Sequence, residues 1–179
     1  MKYASAYLEY LIYFHAERDY FECHEVLEEH WKTTAQTEED AYWVALIQIA
    51  VGLYHQRRGN LNGAKKMLSN ALRLIKRDTT SIQDLGIEPQ FLMQTLKDRL
   101  NQLETTTDFE DINLPIHDPQ LLTLCQNKCK ELKLTWCKPS VLSNKQLIHK
   151  HTLRDRQEVI NERAYQLEKR RQNTQNPHC

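Results

Sequence analysis

The 179-residue sequence has few of the residues that make turns, with only four glycines and five prolines. Turn-rich β-sandwiches and barrels depend on such residues, so this composition argues against both classes. An excess of one charge is also lacking, because 24 Lys and Arg residues balance 24 Asp and Glu residues. A zero net charge removes the usual electrostatic argument for nucleic-acid binding, so we expect no nucleic-acid partner.

Long hydrophobic runs are missing as well. The longest spans residues 43–54 and contains Gln48 and Gly52, whereas a membrane-spanning helix needs roughly 20 apolar residues. The apolar patch near the N-terminus contains Glu9 and has no cleavage site after it, so it does not predict a secretory signal. Five cysteines without framework spacing do not indicate disulfides. We therefore expect a cytoplasmic protein with reduced cysteines and no membrane partner.

What the sequence does have is helical periodicity, with apolar residues three and four positions apart. The predicted helices span residues 3–17, 20–32, 38–58, 61–77, 89–104, 120–133 and 145–171. Residues 78–89 are predicted to be a polar connector, and residues 132–136 also fit a short strand by alternation. The last predicted helix is long and has a narrow apolar stripe.

Local signals mark several of these helix ends. Asp19 is a good N-cap, and Glu22 three residues later completes a capping-box pattern. Gly59 and Asn60 predict a turn, and Pro89 suits the first position of a helix. The side chains predicted to face inward on the helix that begins at Pro89 are Phe91, Leu92, Leu96, Leu100 and Leu103.

An internal sequence similarity predicts how the helices are arranged. Residues 13–19 resemble residues 53–59, and each stretch leads into a helix with apolar residues at matching places. Two helical hairpins with this repeat are typical of tetratricopeptide-like proteins. The predicted fold is therefore all-α: two antiparallel tetratricopeptide-like hairpins, a covering helix and a C-terminal helical extension. Two hairpins are fewer than such repeats normally need, so extra helices or a second subunit should supply the missing cover.

The predicted organisation has three parts. Residues 1–104 form a helical core domain, residues 105–119 a linker, and residues 120–179 the extension. The linker contains three consecutive threonines and two prolines, which interrupt the helical pattern.

The densest polar group lies on the second predicted helix. His24 and Glu28 are four residues apart and share a face, with Glu25 beside His24. A carboxylate next to an imidazole can raise its pKa and orient it for acid–base chemistry. Zincins need a histidine where this sequence has Glu28, and di-iron proteins need Glu-x-x-His, so neither metal pattern matches. Cys23 is a weak nucleophile candidate.

The third predicted helix carries a second group of polar side chains. Gln48 and His55 share a face with Gly52, and Arg58 and Asn60 follow at the helix end. If the second and third helices are neighbours, Gln48 and His55 could converge with His24 and Glu28. The alternatives are a polar network that fixes helix register and a ligand or catalytic pocket. The sequence assigns no cofactor, and its metal-ligand candidates are His24, Glu28 and His55.

Charge is segregated along the chain. Residues 17–40 contain nine acidic and two basic residues, whereas residues 57–77 contain seven basic and no acidic residues. These regions either compensate each other within one bundle or form a surface for a partner.

Two stretches resemble a prokaryotic helical family that is catalogued as a domain of unknown function, number 309 in that series. They are residues 14–31 (FHAERDYFECHEVLEEHW) and residues 46–60 (LIQIAVGLYHQRRGN), the second followed by Gly63-Ala64. The resemblance covers about residues 8–76, and the C-terminal part looks like the extension of bacillus-type members. It implies an all-helical fold and no established activity. It also implies a polar cluster that here comprises His24, Glu25, Glu28, Gln48, His55 and Asn60.

These observations predict a cytoplasmic protein-interaction or scaffold module that binds a protein partner or self-associates as a homo-oligomer. The alternative is a small-ligand or metal-dependent enzyme. In that case His24 and Glu28 would act as the acid–base pair or as ligands, Gln48 and His55 would position the substrate or metal, and Arg58 would bind an anion.

Overall fold

The helices of this protein follow one another closely along the chain. The computed structural model describes residues 2–34 and 40–153, in which all regular elements are helical. The elements are α1 (Ser5–Ile12), a π-helix (Tyr13–Glu17), α2 (Tyr20–Thr34), α3 (Ala41–Arg57), α4 (Leu61–Arg77), α5 (Thr79–Asp84), α6 (Pro89–Thr105), α7 (Pro119–Glu131), α8 (Lys145–Ile148) and α9 (Lys150–Leu153). The predicted all-α class is confirmed.

Side-chain caps explain where several helices begin. The carboxylate of Asp19 accepts a hydrogen bond from the backbone N–H of Glu22 at 3.1 Å, as its position before α2 predicts. Asn60 caps α4 in the same way, because its Oδ1 accepts from the N–H of Gly63 at 3.0 Å. Gly59 adopts φ +77°, a left-handed conformation that suits glycine in the turn before α4.

The first helix ends in a wider turn. Residues Tyr13–Glu17 form the π-helix, and Arg18 follows with φ 58°. A left-handed conformation is uncommon for a residue other than glycine, so surrounding contacts must hold Arg18 in place. The N–H of Asp19 then donates to the carbonyl of Tyr13 at 3.0 Å and closes the turn. This arrangement directs the Arg18 side chain into the protein interior, and only 2% of the residue's surface is exposed.

The core is centred on α3. Eleven of its residues are buried, and it packs against both α2 and α4. The Phe21 and Tyr54 rings are 5.9 Å apart and the His30 and Trp43 rings 5.2 Å apart, so α2 and α3 run antiparallel. Consecutive helices are therefore neighbours, while the tetratricopeptide-like character of the hairpins stays a prediction. None of the helices in the described ranges is long and apolar enough to cross a membrane.

Several local predictions are wrong. The polar connector 78–89 contains α5, which begins because the Asp78 carboxylate caps the N–H of Ser81 and which buries Ile82. Phe91 faces outward and is 69% exposed, whereas Leu92 is buried. Of the two alternatives near residue 132, the structure has the helix, α7, and no strand at residues 132–136.

The long C-terminal helix is described only at its start. There it consists of two short segments, α8 and α9, that are interrupted at His149. The remainder of that predicted helix, from residue 154 onward, lies outside the described residues.

The predicted linker packs onto the helices as an extended segment, which we call the strap (residues 108–117). Ile112 and Leu114 are buried in it, and Ile116 forms an isolated antiparallel bridge with Ile87. The N–H of Glu88 donates to the carbonyl of Pro115 at 2.8 Å. The described residues up to Ile148 belong to one compact unit, and the boundaries at residues 104 and 119 stay a prediction.

Candidate functional site

The predicted cluster on α2 is a chain of ion pairs around His24. Its Nδ1 lies 3.1 Å from Oε1 of Glu25, and its Nε2 lies 2.5 Å from Oε2 of Glu28. The other Glu28 oxygen is 2.6 Å from the Lys32 ammonium. All four side chains come from one helix, and the spacings of four residues bring His24, Glu28 and Lys32 onto one face.

This environment favours the charged imidazolium. Burial acts to lower the pKa of His24, but hydrogen bonds and charge from Glu25 and Glu28 outweigh it, so the pKa is raised. In that form both ring nitrogens donate to carboxylates, and neither has a lone pair left to accept a proton. His24 therefore resembles the centre of a compensated network more than a general base.

The cluster at the end of α3 has the opposite electrostatic character. Burial, and then the charge of Arg58, lower the pKa of His55, so its ring is neutral near pH 7. Nδ1 of His55 lies 3.0 Å from the amide nitrogen of Asn60, whose oxygen caps α4. His55 and Asn60 thus fix the turn between α3 and α4.

These two clusters are not joined by hydrogen bonds or ion pairs among the described residues. Within residues 2–34 and 40–153, no hydrogen bond or ion pair joins His24 or Glu28 to Gln48 or His55. The same ranges contain no group of three or more His, Cys, Asp and Glu side chains that could hold a metal ion. The metal candidates His24, Glu28 and His55 therefore do not form such a group, and the role of the cluster as a site stays a prediction.

The site residues predicted on α3 and just after it lie on one half-buried face of the helix. We call this the α3 stripe, because its members recur at intervals of four and three residues and lie on one side of the helix. Apart from the first two residues, every other position of α3 is buried. The members of the α3 stripe are Val44, Gln48, Val51, His55 and Arg58, the last just after the helix.

Helices α2 and α4 lie on the two sides of the α3 stripe. Phe21 of α2 contacts Tyr54 on one side. On the other side α4 approaches closely, since a Cβ at Gly52 would lie 2.7 Å from the Leu68 side chain. The predicted reason for a glycine here, close approach of another helix, is confirmed. We call the surface formed by α2, the α3 stripe and α4 the α2–α4 face.

Several polar atoms of this face have no hydrogen-bond partner. They are Nε1 of Trp31, Oε1 of Gln48 and Nε of Arg58, each inaccessible although its residue is only half-buried. The Arg58 guanidinium lies over the Tyr54 ring at 5.3 Å. Buried polar atoms are normally satisfied, so their occurrence together requires an explanation.

A second polar group, which the sequence did not predict, holds the strap. The Arg18 side chain donates from Nη1 to the carbonyl of Ile112 at 3.1 Å and from Nη2 to Oδ1 of Asn113 at 2.7 Å. Its Nε donates to the carbonyl of Lys138 at 2.8 Å, with the Asp111 carboxylate 3.8 Å away. One buried guanidinium thus holds three parts of the chain together.

Other buried polar side chains do the same for neighbouring positions. Arg99 donates to the carbonyl of Glu110 at 2.6 Å and to Oε1 of Gln56 at 2.9 Å. His15 accepts the N–H of Leu114 at its Nε2 and stacks on Trp136 with ring centres 4.4 Å apart. An extended segment without sheet partners needs such donors and acceptors for its backbone.

The strap also borders an open cavity of about 350 Å³. Asp111 lies in its wall and accepts hydrogen bonds from the Tyr20 hydroxyl and from both the N–H and the hydroxyl of Ser140. The other lining residues are Arg18, Phe109, Glu110, Asn113, Cys137, Pro139 and Leu142. The Asp111 carboxylate is therefore engaged by protein groups.

One sequence signal could have revealed this group. Arg99 lies three residues after Leu96 and four before Leu103, on the buried face of α6. A charged residue on an apolar face indicates a buried polar contact. Arg18 gave no comparable signal, because its position between two helices predicts only a break.

The buried position of Cys23 does not suit a nucleophile. Cys23 is fully buried with its Sγ 3.6 Å from the carbonyl of Tyr10, and burial raises the pKa of its thiol well above the usual value. The candidate Cys23 is therefore wrong. Cys125 and Cys129 are buried, as the apolar pattern predicted.

Two comparisons with known proteins identify relatives of this chain. The model of a family described as a domain of unknown function (DUF309) matches residues 7–67. The chain is also 45% identical over 169 residues to "Uncharacterized protein YpuF" of Bacillus subtilis (strain 168), covering 94% of this chain and 97% of that protein.

This chain belongs to the DUF309 family. No solved structure matches it significantly. The DUF309 match extends from α1 into the first half of α4. It therefore includes Arg18, the His24 cluster and the α3 stripe, while the strap lies beyond it.

Proposed function

We propose that this DUF309 protein is a protein-interaction module and that the α2–α4 face binds its partner. The observation that supports the proposal is the set of unpartnered polar atoms of Trp31, Gln48 and Arg58 on this face. A side chain that is only half-buried can change rotamer when a partner arrives and so gain a hydrogen bond. Elsewhere in the described ranges, one atom of this kind is found, Nε of Arg57.

The chemistry of the face fits a segment of protein. Val44 and Val51 offer apolar contact in the middle of the α3 stripe, and Gln48 between them offers an amide. Arg58 can reach a carboxylate or a backbone carbonyl at one end. Apolar contacts with a few placed hydrogen bonds are the usual means by which a groove holds a helix or an extended segment.

The enzyme alternative has less support. It requires His24 to exchange protons with a substrate, yet both of its nitrogens face carboxylates at 3.1 and 2.5 Å. Glu28 is held in turn by Lys32. A general base needs a free lone pair within reach of a substrate, which this arrangement does not supply.

Site-specific photocrosslinking in living cells tests the proposal. A benzophenone amino acid replaces Val51 on the α2–α4 face, and in a matched control it replaces Gln94, an exposed residue of α6. We expect a crosslinked protein band from position 51 and none of equal intensity from position 94. Equal labelling at both positions, or none at position 51 in a folded variant, would contradict the proposal.

A further inference from the structure

The charges of α2 and α4 bear on which partner the α2–α4 face binds, and the inference drawn from them rests on the proposed function. Helix α2 contains four glutamates and one lysine, whereas α4 contains five Lys and Arg residues and no acidic residue. Two helices of opposite charge therefore lie on the two sides of the α3 stripe.

Key charges of these helices are not neutralised within the chain. On α4, Lys66, Arg73 and Lys76 are exposed and form no ion pair in the described residues, while Lys65 pairs with Glu104 of α6. These charges therefore remain available to a partner, because internal compensation between the helices does not use them.

Helix α2 likewise has a carboxylate without an ion-pair partner in the described ranges. Glu29 of α2 is exposed, and its carboxylate has no ion-pair partner among the described residues. Glu25, four residues earlier, pairs with His24, but it faces the same side of α2 and its side chain is more than one-third exposed. The acidic helix thus presents carboxylates outward while the basic helix presents ammonium and guanidinium groups.

We propose that the partner is a second copy of this chain, in a two-fold dimer whose axis runs parallel to α3. That axis places α2 of each copy against α4 of the other, so both contacts join opposite charges. A two-fold axis perpendicular to α3 would instead bring α2 against α2. Closed two-fold dimers are the commonest oligomers and need a self-complementary surface, which the separation of charges on this face provides.

The α3 stripe fits the same symmetry. A residue near a two-fold axis faces its own copy, so Gln48 faces the same amide of the other subunit. An amide supplies both a donor and an acceptor, and the Oε1 of Gln48 is unpartnered in the single chain. A polar residue near the axis of a helical interface is a known means of fixing register.

Charge reversal tests this dimer through mixing. One variant of the full chain carries Glu25→Lys and Glu29→Lys, and the other carries Lys66→Glu and Arg73→Glu. Light scattering after size-exclusion chromatography should give wild type twice the 21.3 kDa chain mass. Each variant alone should dissociate at least roughly tenfold more readily, since like charges then meet at both contacts. An equimolar mixture should recover the dimer, because both contacts again join opposite charges.

A matched control reverses two charges on another helix. Lys97→Glu with Asp98→Lys changes exposed residues of α6 and should leave the dimer intact. Circular dichroism must show that every variant keeps its helices. A monomeric wild type overturns the inference, as does a dimer that the reversals leave intact or a mixture of folded variants that stays monomeric.

The photocrosslinking experiment separates this inference from the function on which it rests. A band from position 51 that adds one chain mass supports a second copy. A band of another mass leaves the interaction function standing and overturns the dimer. Loss of every specific band contradicts both.

Discussion

His15 and His24 lie nine residues apart, and their pKa values are shifted in opposite directions. His15 is 1% exposed, and burial lowers its pKa to about 3. Its Nδ1–H donates to the carbonyl of Leu11 at 3.0 Å and its Nε2 accepts from Leu114, so the ring is neutral in one tautomer. His24 is bracketed by carboxylates and is favoured as a cation. Surroundings, and not residue type, decide what each histidine contributes.

The buried histidine predicts a loss of stability in acid. Because the pKa of His15 is lower in the folded chain than its ordinary 6.5, the unfolded chain binds the proton first as pH falls. The contribution is complete above pH 6.5 and is lost progressively toward pH 3. Between pH 7 and pH 5 it should decrease by about 2 kcal/mol. Urea unfolding of wild type and His15→Gln at both pH values measures it. The same pH dependence in both proteins would contradict the assignment.

The paired histidine predicts the opposite sign. A pKa that is raised in the folded chain stabilises the protein below the ordinary value of 6.5, and this is lost as pH rises through the folded pKa. An NMR titration should place the midpoint of His24 above that of His55, whose pKa is lowered. Glu28→Gln should lower the His24 midpoint, while Glu131→Gln, a distant exposed change on α7, should not. An unchanged His24 midpoint in the Glu28→Gln variant would exclude the ion pair.

At the residue scale, the sequence predicts caps well and buried charges poorly. Asp19 and Asn60 act at helix starts through bonds to residues three positions away, so the local sequence contains the whole signal. Arg18 acts on Ile112 and Lys138, which are 94 and 120 positions away. No local pattern reports such a contact.

At the scale of elements, the contact of α3 with α4 depends on a residue without a side chain. Gly52→Ala should gain about 1 kcal/mol of helix propensity but should force Leu68 aside, at a cost of about 1–3 kcal/mol. We therefore expect a net loss of up to about 2 kcal/mol in chemical denaturation. Ser69→Ala, on the exposed side of α4, should stay within about 0.5 kcal/mol of wild type. A Gly52→Ala protein more stable than wild type would show that the helices can separate freely.

The strap predicts the largest effect of a single substitution. Arg18→Met removes the donors to Ile112, Asn113 and Lys138 and should cost about 3–5 kcal/mol. Hydrogen exchange should accelerate in residues 108–117 before it does in α3. Arg73→Met, an exposed arginine on α4, serves as the control. Unchanged exchange in the strap of a folded Arg18→Met protein would mean that apolar burial alone holds it.

Elements with strong periodicity are predicted closely. The bounds of α4, 61–77, agree with the structure because its apolar stripe and its Asn60 cap coincide. The strap was interpreted as a linker because an extended segment has no helical period and its partners are distant side chains. For the site, the α3 stripe is one face, as the spacing indicated, while the convergence of Gln48 and His55 with His24 and Glu28 stays a prediction.

At the scale of the whole molecule, the contacts of the strap predict that the cooperative folding unit extends beyond residue 104. The fragment 1–104 lacks the strap carbonyls to which Arg18 and Arg99 donate, those of Ile112 and Glu110, and exposes the surface that Ile112 and Leu114 cover. It should unfold without a sharp transition, whereas the fragment 1–148 should unfold cooperatively. Calorimetry of both fragments tests the boundary predicted at residue 104, and a sharp transition of the shorter one would support that boundary.

The long sequence separation between Arg18 and its acceptor also has a consequence for synthesis of the chain on the ribosome. Arg18 and the Lys138 carbonyl that it binds are 120 residues apart. At roughly 5–20 residues per second, the acceptor is made about 6 to 24 seconds after the donor. During that interval α1 to α4 can pair, but the guanidinium must remain hydrated. The nascent protein therefore remains incompletely folded until the last third of the compact unit has been synthesised.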